Sequence, residues 1–562
     1  MRLTFPASAG LADLRHYDRS RLRGDLLGGL TVTAYAVPQV MAYATLAGLP
    51  PASGLWVLAL TLVVYFLLGS SRLLSCGPES STALLTAAIL APLAGGDPAR
   101  YAMLAALLAL LCGVFAVMAW ALRLGFIGDL LSKPVLLGYM AGVAVIMVVS
   151  QLGKVTGVDV AGDTIVQALA SFTRNLGDLS WPTVAVGLGV AVLLLILTPR
   201  FPRLPMPLLI VLLATAVTSL LDLQSRGVTT VGTLDTSAPV IGFGGLSASD
   251  IGLLALPALG VFIVGYTDNL ATARVFATRT GDHVNANREL LALGACNMGS
   301  AALQGWPVSS AASRTALGYA SGARTQVSSL FTTAGIIVVV IAFTGVLAQF
   351  PLAALGGLVI YAATRLVDIP GLRRLWAFRR REFALAAAAF VGVLLFDILY
   401  GILAAVILSI VEILIRVARP HSAVLGQAPG VPGWHDIDDY PGSAQLPGLL
   451  VYRYDSPLFF ANAEDFARKI RATVDALSPL PKWVLLNMEA NAEVDITALD
   501  ALQRAVEHFH REGVTVALAR VKHDVLVDLR RHGVLAVIGE DLVFPTMPTA
   551  VQAYEDWLQA ED

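Results

Sequence analysis

The sequence predicts an α-helical membrane protein of about fourteen spans, followed by a small cytoplasmic α/β domain, and three observations carry that prediction. Of the 562 residues, 56% are hydrophobic and only 14% are charged, with a mean hydropathy of +0.72. No soluble chain of this length needs so much apolar surface. Charge is sparse up to about residue 420 and frequent after it. From residue 447 the apolar pattern also changes, from long runs to short strand and helix periods.

Residues 1–24 carry Arg15, Arg19, Arg21 and Arg23 but no small-residue cleavage pattern, so they read as a retained cytoplasmic segment. Apolar windows then follow at 27–45, 54–69, 79–93, 101–122, 135–152, 183–198, 207–221, 252–272, 289–303, 309–321, 327–349, 352–366, 383–397 and 399–416. Basic residues of the short loops fall after even-numbered windows or the last one: Arg72; Arg123 and Lys133; Arg200 and Arg203; Arg274, Arg279 and Arg288; Arg324; Arg373, Arg374, Arg379, Arg380 and Arg381; Arg416 and Arg419. Positive loops stay in the cytoplasm, so the alternation predicts a multi-pass protein of the cell (inner) membrane with both termini inside.

The third and tenth windows are shorter than the roughly 20 residues a full crossing needs, and they open on Gly77-Pro78 and Gly305-Trp306-Pro307. Gly77 lies about as far beyond Asp25 as Gly305 lies beyond Gly252. Seven windows per half is an odd number, so the halves, 25–221 and 252–418 of a membrane domain 25–420, enter from opposite sides as an inverted repeat. Paired short, Gly/Pro-interrupted segments at matching places point to a transporter site at the bilayer midplane.

A half-helix that begins inside the membrane presents unpaired N–H groups and a positive dipole end, which together suit an anion. The two starts read "GPESSTALL" and "GWPVSSAASRTAL", each with serines in the opening turn. Ionisable residues well inside the windows are Glu79, Asp268 and Arg314, with Asp397 and Glu412 nearer the ends. A structural ion pair of Asp268 or Glu79 with Arg314 is one reading of them. The other starts from Glu79, whose carboxylate takes the place a substrate anion wants, so the anion binds best when Glu79 is protonated. No histidine lies inside a window, so proton coupling would run on Glu79, with Asp268 as the second carrier.

Other chemistries find little support. Cys76, Cys112 and Cys296 show no CxxC spacing, so neither a disulfide framework nor a metal site is expected, and they read as packing residues. No catalytic constellation or cofactor motif is apparent, so no enzyme is expected, and a net charge of −2 does not suggest nucleic acid.

The Gly, Pro and Asp content of 421–446 reads as a linker, and 447–562 as the soluble domain. In that domain "LLVYRYDS", "WVLLNME" and "VTVALARV" read as strands; "NAEDFARKIRATVDAL", "ITALDALQRAVEHFHREG" and "DVLVDLRRHG" read as helices.

Three stretches, "DLLGGLTVTAYAVPQVMAYATLAGLPPASGLW" (25–56), "GFIGDLLSKPVLLGYMAGVAV" (125–145) and "NRELLALGACNMGSAALQGWPVSSAASRTAL" (287–317), resemble the sulfate permease family of anion transporters. The resemblance implies two intertwined seven-helix inverted repeats forming a core and a gate, an elevator-like exchange of access, a C-terminal STAS domain and a homodimer. It also implies a central site of Gln39, Tyr43, Glu79, Ser80, Ala312, Ser313 and Arg314. Asp268 stands where members typically carry glutamate, and position 79 is commonly uncharged or aromatic in the family. Thr497 lies near the position phosphorylated in related bacterial regulators; a capping or packing role is the alternative. The function expected is proton-coupled symport of a small anion, a dicarboxylate, sulfate or relative. Sodium-coupled bicarbonate transport centred on Asp268, or a passive anion channel, is the alternative.

Overall fold

The computed structural model describes residues 8–15, 17–126, 132–160, 165–202, 204–233 and 247–561. Two compact units emerge, Met1–Ser409 and Ile410–Asp562. The side chains of Asp397 and Arg279, and all of Arg203, lie outside the described residues.

The first unit is helical. Its main helices are α1 (Leu22–Leu46), α2 (Pro51–Leu68), α3 (Ser80–Ala94), α4 (Pro98–Ala121), α5 (Lys133–Ser150), α6 (Trp181–Arg200), α7 (Met206–Leu220), α8 (Ala248–Thr280), α9 (Ala286–Ala302), α10 (Ala312–Ala320), α11 (Val327–Ala342), α12 (Leu352–Leu366) and α13 (Arg380–Ala418). Among the described residues six stretches are long and apolar enough to cross a membrane by length and composition: Pro51–Leu68, Pro98–Ala121, Lys133–Ser150, Trp181–Arg200, Ala248–Ala277 and Leu352–Phe378. Windows one to ten and window twelve each match one helix, while window eleven, 327–349, takes in α11 and a further short helix, Thr344–Ala348. The windows 383–397 and 399–416 instead fall together in α13, because the sequence from Gly371 to Arg419 holds no proline and a lone aspartate does not interrupt the backbone ladder.

Helices α1–α4 and α8–α11 pack largely among themselves, while α5–α7 and α12 form a second group that meets the first along α1. The two repeats are intertwined: α4 lies against α9, and its counterpart α11 lies against α2. At the α4–α9 crossing a Cβ on Gly113 would sit 2.9 Å from the Gly294 carbonyl oxygen, and one on Gly294 would sit 3.1 Å from that of Gly113. Only glycine allows the two backbones so close.

The half-helices are real and short, α3 with 15 residues and α10 with 9. Each follows a two-residue strand, β1 (Cys76–Gly77) and β2 (Ser309–Ser310), which pair antiparallel as Cys76↔Ser310 and Gly77↔Ser309. The tenth window, 309–321, therefore starts three residues too early as a helix, since Ser309 and Ser310 form β2 and Ala311 is the N-cap. Proline biases the residue ahead of it toward extended backbone, which suits Gly77 before Pro78 and Trp306 before Pro307. This small ribbon sets the two helix starts side by side.

Two clasps hold the far ends of the half-helices. Arg324 donates to Tyr319 O in the last turn of α10 at 3.0 Å, and its backbone N–H donates to Asp25 Oδ1 at 2.7 Å. Thr325 adds its N–H at 3.1 Å and its hydroxyl at 2.6 Å to the same carboxylate. In the other repeat Arg100 donates to Leu93 O in the last turn of α3 at 3.4 Å and pairs with Asp250 at 3.0 Å. Each first helix of one repeat thus grips the end of the other repeat's half-helix. A cation at a helix C-terminus also matches the dipole there.

The second unit is an α/β layer. Strands β3 (Ser422–Gly426), β4 (His435–Asp436), β5 (Leu449–Tyr454), β6 (Trp483–Asn487), β7 (Thr515–Ala519) and β8 (Val543–Phe544) form one sheet in the order β4-β3-β5-β6-β7-β8. From β5 to β8 the neighbours run parallel, and β3 runs antiparallel to both β4 and β5. The stretch 421–446 is therefore not merely a linker: it supplies two strands. Their short, Gly- and Pro-flanked pattern hides them, since β3 gains its partners from β5 rather than from a neighbouring hairpin alone. Helices α14 (Ala463–Asp475), α15 (Ile496–Arg511) and α16 (His523–His532) cover one face of the sheet, and α17 (Met547–Glu561) covers the other through Trp483, Tyr554 and Trp557. Asp495 caps α15, accepting from Ala498 N at 2.8 Å, and Thr497 is exposed in the first turn with neither a capping nor a packing role.

Candidate functional site

A cavity of about 140 Å³ opens in front of the half-helices. From the sequence-derived set, Gln39, Tyr43, Glu79, Ser80, Asp268, Ala312 and Ser313 line it. Gln39 and Tyr43 stand one turn apart on α1, so both face the same side, and Tyr35 joins them one turn earlier. That spacing is a signal from which Tyr35 could have been read. Ser81, Ser310, Tyr361 and Arg365 also line the cavity. Arg365 is an exposed guanidinium in the last turn of α12. Its position at the edge of an apolar window gives no sequence cue, because basic residues at span ends are ordinary.

Glu79 is the N-cap of α3. Its carboxylate accepts from Ser81 N at 2.6 Å, from Ser80 Oγ at 2.9 Å and from Ser81 Oγ at 3.0 Å. The anion that sits on the first half-helix is thus part of the chain. The second half-helix differs: its N-cap is Ala311, which offers no side-chain cap. The first intrahelical bond there runs from Thr315 N to Ala311 O at 3.0 Å, so the N–H groups of Ala312, Ser313 and Arg314 precede it. Ala312 and Ser313 are exposed to the cavity.

Arg314 does not line the cavity. It lies behind it, 0% exposed, with Nε donating to Ser75 Oγ at 3.2 Å and Nη1 donating to Pro78 O at 2.8 Å and to Gln39 Oε1 at 3.3 Å. Its Nη2 has no partner. Among the described residues it forms no ion pair with Glu79 or Asp268, so the structural-pair reading gives way to one in which Arg314 ties α10 to the lead-in of α3 and to α1. Gln39 extends this tie, its Nε2 donating to Tyr43 Oη at 3.1 Å and to Ser313 Oγ at 3.3 Å.

Asp268, on α8, faces β2. Its Oδ2 accepts from Ser309 Oγ at 3.2 Å, and its backbone oxygen accepts from Ser310 Oγ at 3.5 Å. Two carboxylates, Glu79 and Asp268, therefore share one cavity with one guanidinium, Arg365. With both acids ionised the wall carries net negative charge; each proton added moves it toward accepting an anion.

A further acid, outside the cavity, is buried among donors. Glu289, fully buried, accepts from Tyr65 Oη at 2.9 Å, Ser70 N at 2.9 Å, Ser70 Oγ at 2.6 Å and Asn269 Nδ2 at 2.9 Å. Its charge is satisfied by donors from α2, the loop after it and α8. No group of three or more His, Cys, Asp or Glu gathers in a metal-binding arrangement among the described residues.

Comparisons with known proteins agree with this architecture. Residues 22–389 match the model of the sulfate permease family, and residues 440–550 match that of the STAS domain. A probable sulfate transporter of Mycobacterium tuberculosis is 51% identical over 545 residues, covering 97% of each chain. High affinity sulfate transporter 2 of Stylosanthes hamata is 29% identical, covering 96% of this chain and 85% of its own. Among solved structures, the murine anion transporter Slc26a9 in its inward-facing state superposes with a TM-score of 0.89 at 23% identity, covering 99% of this chain and 96% of its own. That likeness concerns the fold, and it extends from the helical core with its half-helices to the STAS domain. The chain belongs to the sulfate permease family, whose members are transporters and not enzymes, and it carries that family's C-terminal STAS domain.

Proposed function

We propose that the protein carries sulfate, or a small anion of the same kind, across the membrane together with protons held by Glu79 and Asp268. The relatives named above, in a mycobacterium and a plant, are named for sulfate. The observation that carries the coupling is the shared cavity: two carboxylates face the uncapped start of α10. A divalent anion entering beside two ionised acids meets repulsion of several kcal/mol at short range in a medium of low dielectric. Protonation removes that repulsion and converts Glu79 from a pure acceptor to a hydrogen-bond donor for the anion.

In this reading the anion lies against the N–H groups of Ala312 and Ser313, with the Ser313 hydroxyl and Arg365 nearby. Glu79, once neutral, keeps its place on α3 through the serines. Return of Glu79 to its charged form after release would reset the cavity. The two helix groups would exchange access by sliding past one another along α1, in the elevator manner the family resemblance implies. The reading also has both termini in the cytoplasm of a bacterial cell, as the positive-inside pattern suggests, and the chain working as a homodimer.

The test is uptake of radiolabelled sulfate into proteoliposomes, first under an inward proton gradient and then under an inward sodium gradient, with wild type beside Glu79→Gln. Accumulation driven by protons and abolished in Glu79→Gln supports the assignment. Sodium-driven accumulation that ignores the substitution would move the coupling to Asp268 and leave Glu79 as a lining residue. Uptake that never exceeds the imposed sulfate gradient would mark a passive pathway and overturn symport altogether.

A further inference from the structure

The connection between α12 and α13 is itself a helix, Ile369–Phe378, started by Asp368, whose side chain accepts from Gly371 N at 2.9 Å. It is amphipathic. Ile369, Leu372 and Trp376 recur at helical spacing along one side, and Arg374 lies opposite. Leu375 is buried against the protein, whereas Ile369, Trp376 and Phe378 are 53%, 56% and 68% exposed. Directly after it come Arg379, Arg380 and Arg381, so five arginines stand between residues 373 and 381 against the flanking acids Asp368 and Glu382. All five are exposed, and among the described residues none makes an ion pair. Arg379 and Arg380 instead lie over aromatic rings, 5.2 Å from the centroid of Phe378 and 5.7 Å from that of Trp376.

Three features identify what this surface meets. It is joined at one end to α12 and at the other to α13, both apolar helices of the membrane unit, which fixes it at the level where helices leave the bilayer. A tryptophan and a phenylalanine exposed at that level sit well in the headgroup layer and poorly in water. Guanidinium groups with no protein carboxylate to pair with have the fork geometry that binds phosphate through two hydrogen bonds. We propose that Ile369–Phe378 and Arg379–Arg381 form a docking strap for the phosphates of anionic phospholipids in the adjoining leaflet, with Trp376 and Phe378 inserted among the headgroups. The strap fixes the depth of α12, whose last turn presents Arg365 to the cavity.

Full-length protein would be reconstituted in vesicles of phosphatidylcholine mixed with phosphatidylglycerol, one lipid brominated at a time, and tryptophan quenching recorded. The signal of Trp376 is the part lost in W376F. Brominated phosphatidylglycerol is expected to quench Trp376 more than brominated phosphatidylcholine at equal content. Changing Arg373, Arg374, Arg379, Arg380 and Arg381 together to Gln should abolish that preference, each arginine being worth roughly a fivefold enrichment, while changing them to Lys should retain the part that charge alone supplies and lose the part that the paired guanidinium hydrogen bonds add. In wild type, raising the salt should weaken the preference, an arm that needs no variant to fold. Equal quenching by both lipids in wild type, or a preference that persists in the Gln variant, overturns the proposal. So does a preference erased by inorganic phosphate at the same phosphate concentration, which would mark a site for the free ion.

Discussion

Helices α3 and α10 occupy equivalent places in the two repeats, follow paired strands β1 and β2, and end in equivalent arginine clasps, yet their N-termini differ. On α3 the end is filled by Glu79, which accepts from a backbone N–H and two serine hydroxyls. On α10 the cap is Ala311 and the end stays open. The inverted repeat supplies two positive ends at no extra cost in sequence, and a single residue then decides which is already taken. One end carries an anion that belongs to the chain, and the other carries no side-chain cap. In the proposed function, that division is what couples protons to transport.

The largest expected effect comes from cutting the tie between the two ends. Arg314→Met removes the donor to Ser75 Oγ, Pro78 O and Gln39 Oε1 and leaves those acceptors buried. Hydrogen bonds from a charged donor are worth roughly 1.5–3 kcal/mol each, so a large fall in the melting temperature of purified protein and complete loss of uptake are expected. Arg314→Lys should not rescue, because one ammonium cannot reach around the same set of acceptors. A methionine variant that melts normally would show that α3 and α10 are registered by the β1–β2 ribbon alone.

Next comes Glu79→Gln, which keeps the shape of the cap and removes its charge. Under the proposed function, anion affinity should rise by about tenfold or more, since a like charge on the wall of the same cavity is gone. Accumulation against a gradient should be lost at the same time, and the pH dependence of binding should flatten. Isothermal titration of the detergent-solubilised protein separates the two: tighter binding with lost accumulation is the expected signature, and weaker binding would mean that the carboxylate contacts the anion as a partner.

How much of this was legible beforehand follows from the range of each signal. The start of α3 was legible to within one residue, because Gly77-Pro78 breaks the backbone locally and the serines follow at once. Gln39 and Tyr43 rose above ordinary helix residues only through the family resemblance, since nothing local distinguishes them. Arg314 joins the site residues only through the family resemblance, and its place behind the cavity has a cause that the sequence does not display. Its partners, Ser75, Pro78 and Gln39, lie more than two hundred residues away in sequence, and a charge inside an apolar window invites pairing with another charge when three neutral oxygens suffice. Glu289 gives no signal in the sequence because it stands at the edge of its window, where acids are common at helix starts; its donors Tyr65, Ser70 and Asn269 converge only in three dimensions. Strand β3 reads as linker because it owes its place to pairing with β5 across a long excursion of the chain.

A third, smaller effect comes from giving α10 what α3 already has. Ala312→Asp puts an acid in the first turn of the open helix, where the dipole favours it by roughly 0.3–1 kcal/mol. Melting temperature should hold or rise slightly, while the KM for the anion should increase by about tenfold. The double variant Glu79→Gln with Ala312→Asp moves the tethered charge from one repeat to the other. If charge alone matters, its affinity returns toward wild type; if the open end of α10 is the anion's seat, affinity stays low although net charge is restored. The second outcome is expected.

The smallest effect should come from the clasps, and here the two repeats differ again. Asp25 is fully buried and accepts from two backbone N–H groups and from the hydroxyls of Thr325 and Tyr17, so α10 is held by bonds that water cannot replace. The clasp on α3 depends on the side chain of Arg100, which is 41% exposed. Solvent screening limits such a pair to roughly 1 kcal/mol or less. Arg100→Gln should therefore lower the melting temperature by only a few degrees, in line with that energy for a protein of this size, and raise the anion KM about two- to threefold with little change in turnover. The KM is the informative quantity, since the clasp acts on the far end of the helix whose near end carries Glu79, and a tilt of α3 would move that carboxylate within the cavity. If Arg100→Gln changed the KM no more than Arg174→Gln, an exposed arginine on the short helix Ile165–Arg174, the position of α3 would owe nothing to its clasp, and the two half-helices would be held by different means.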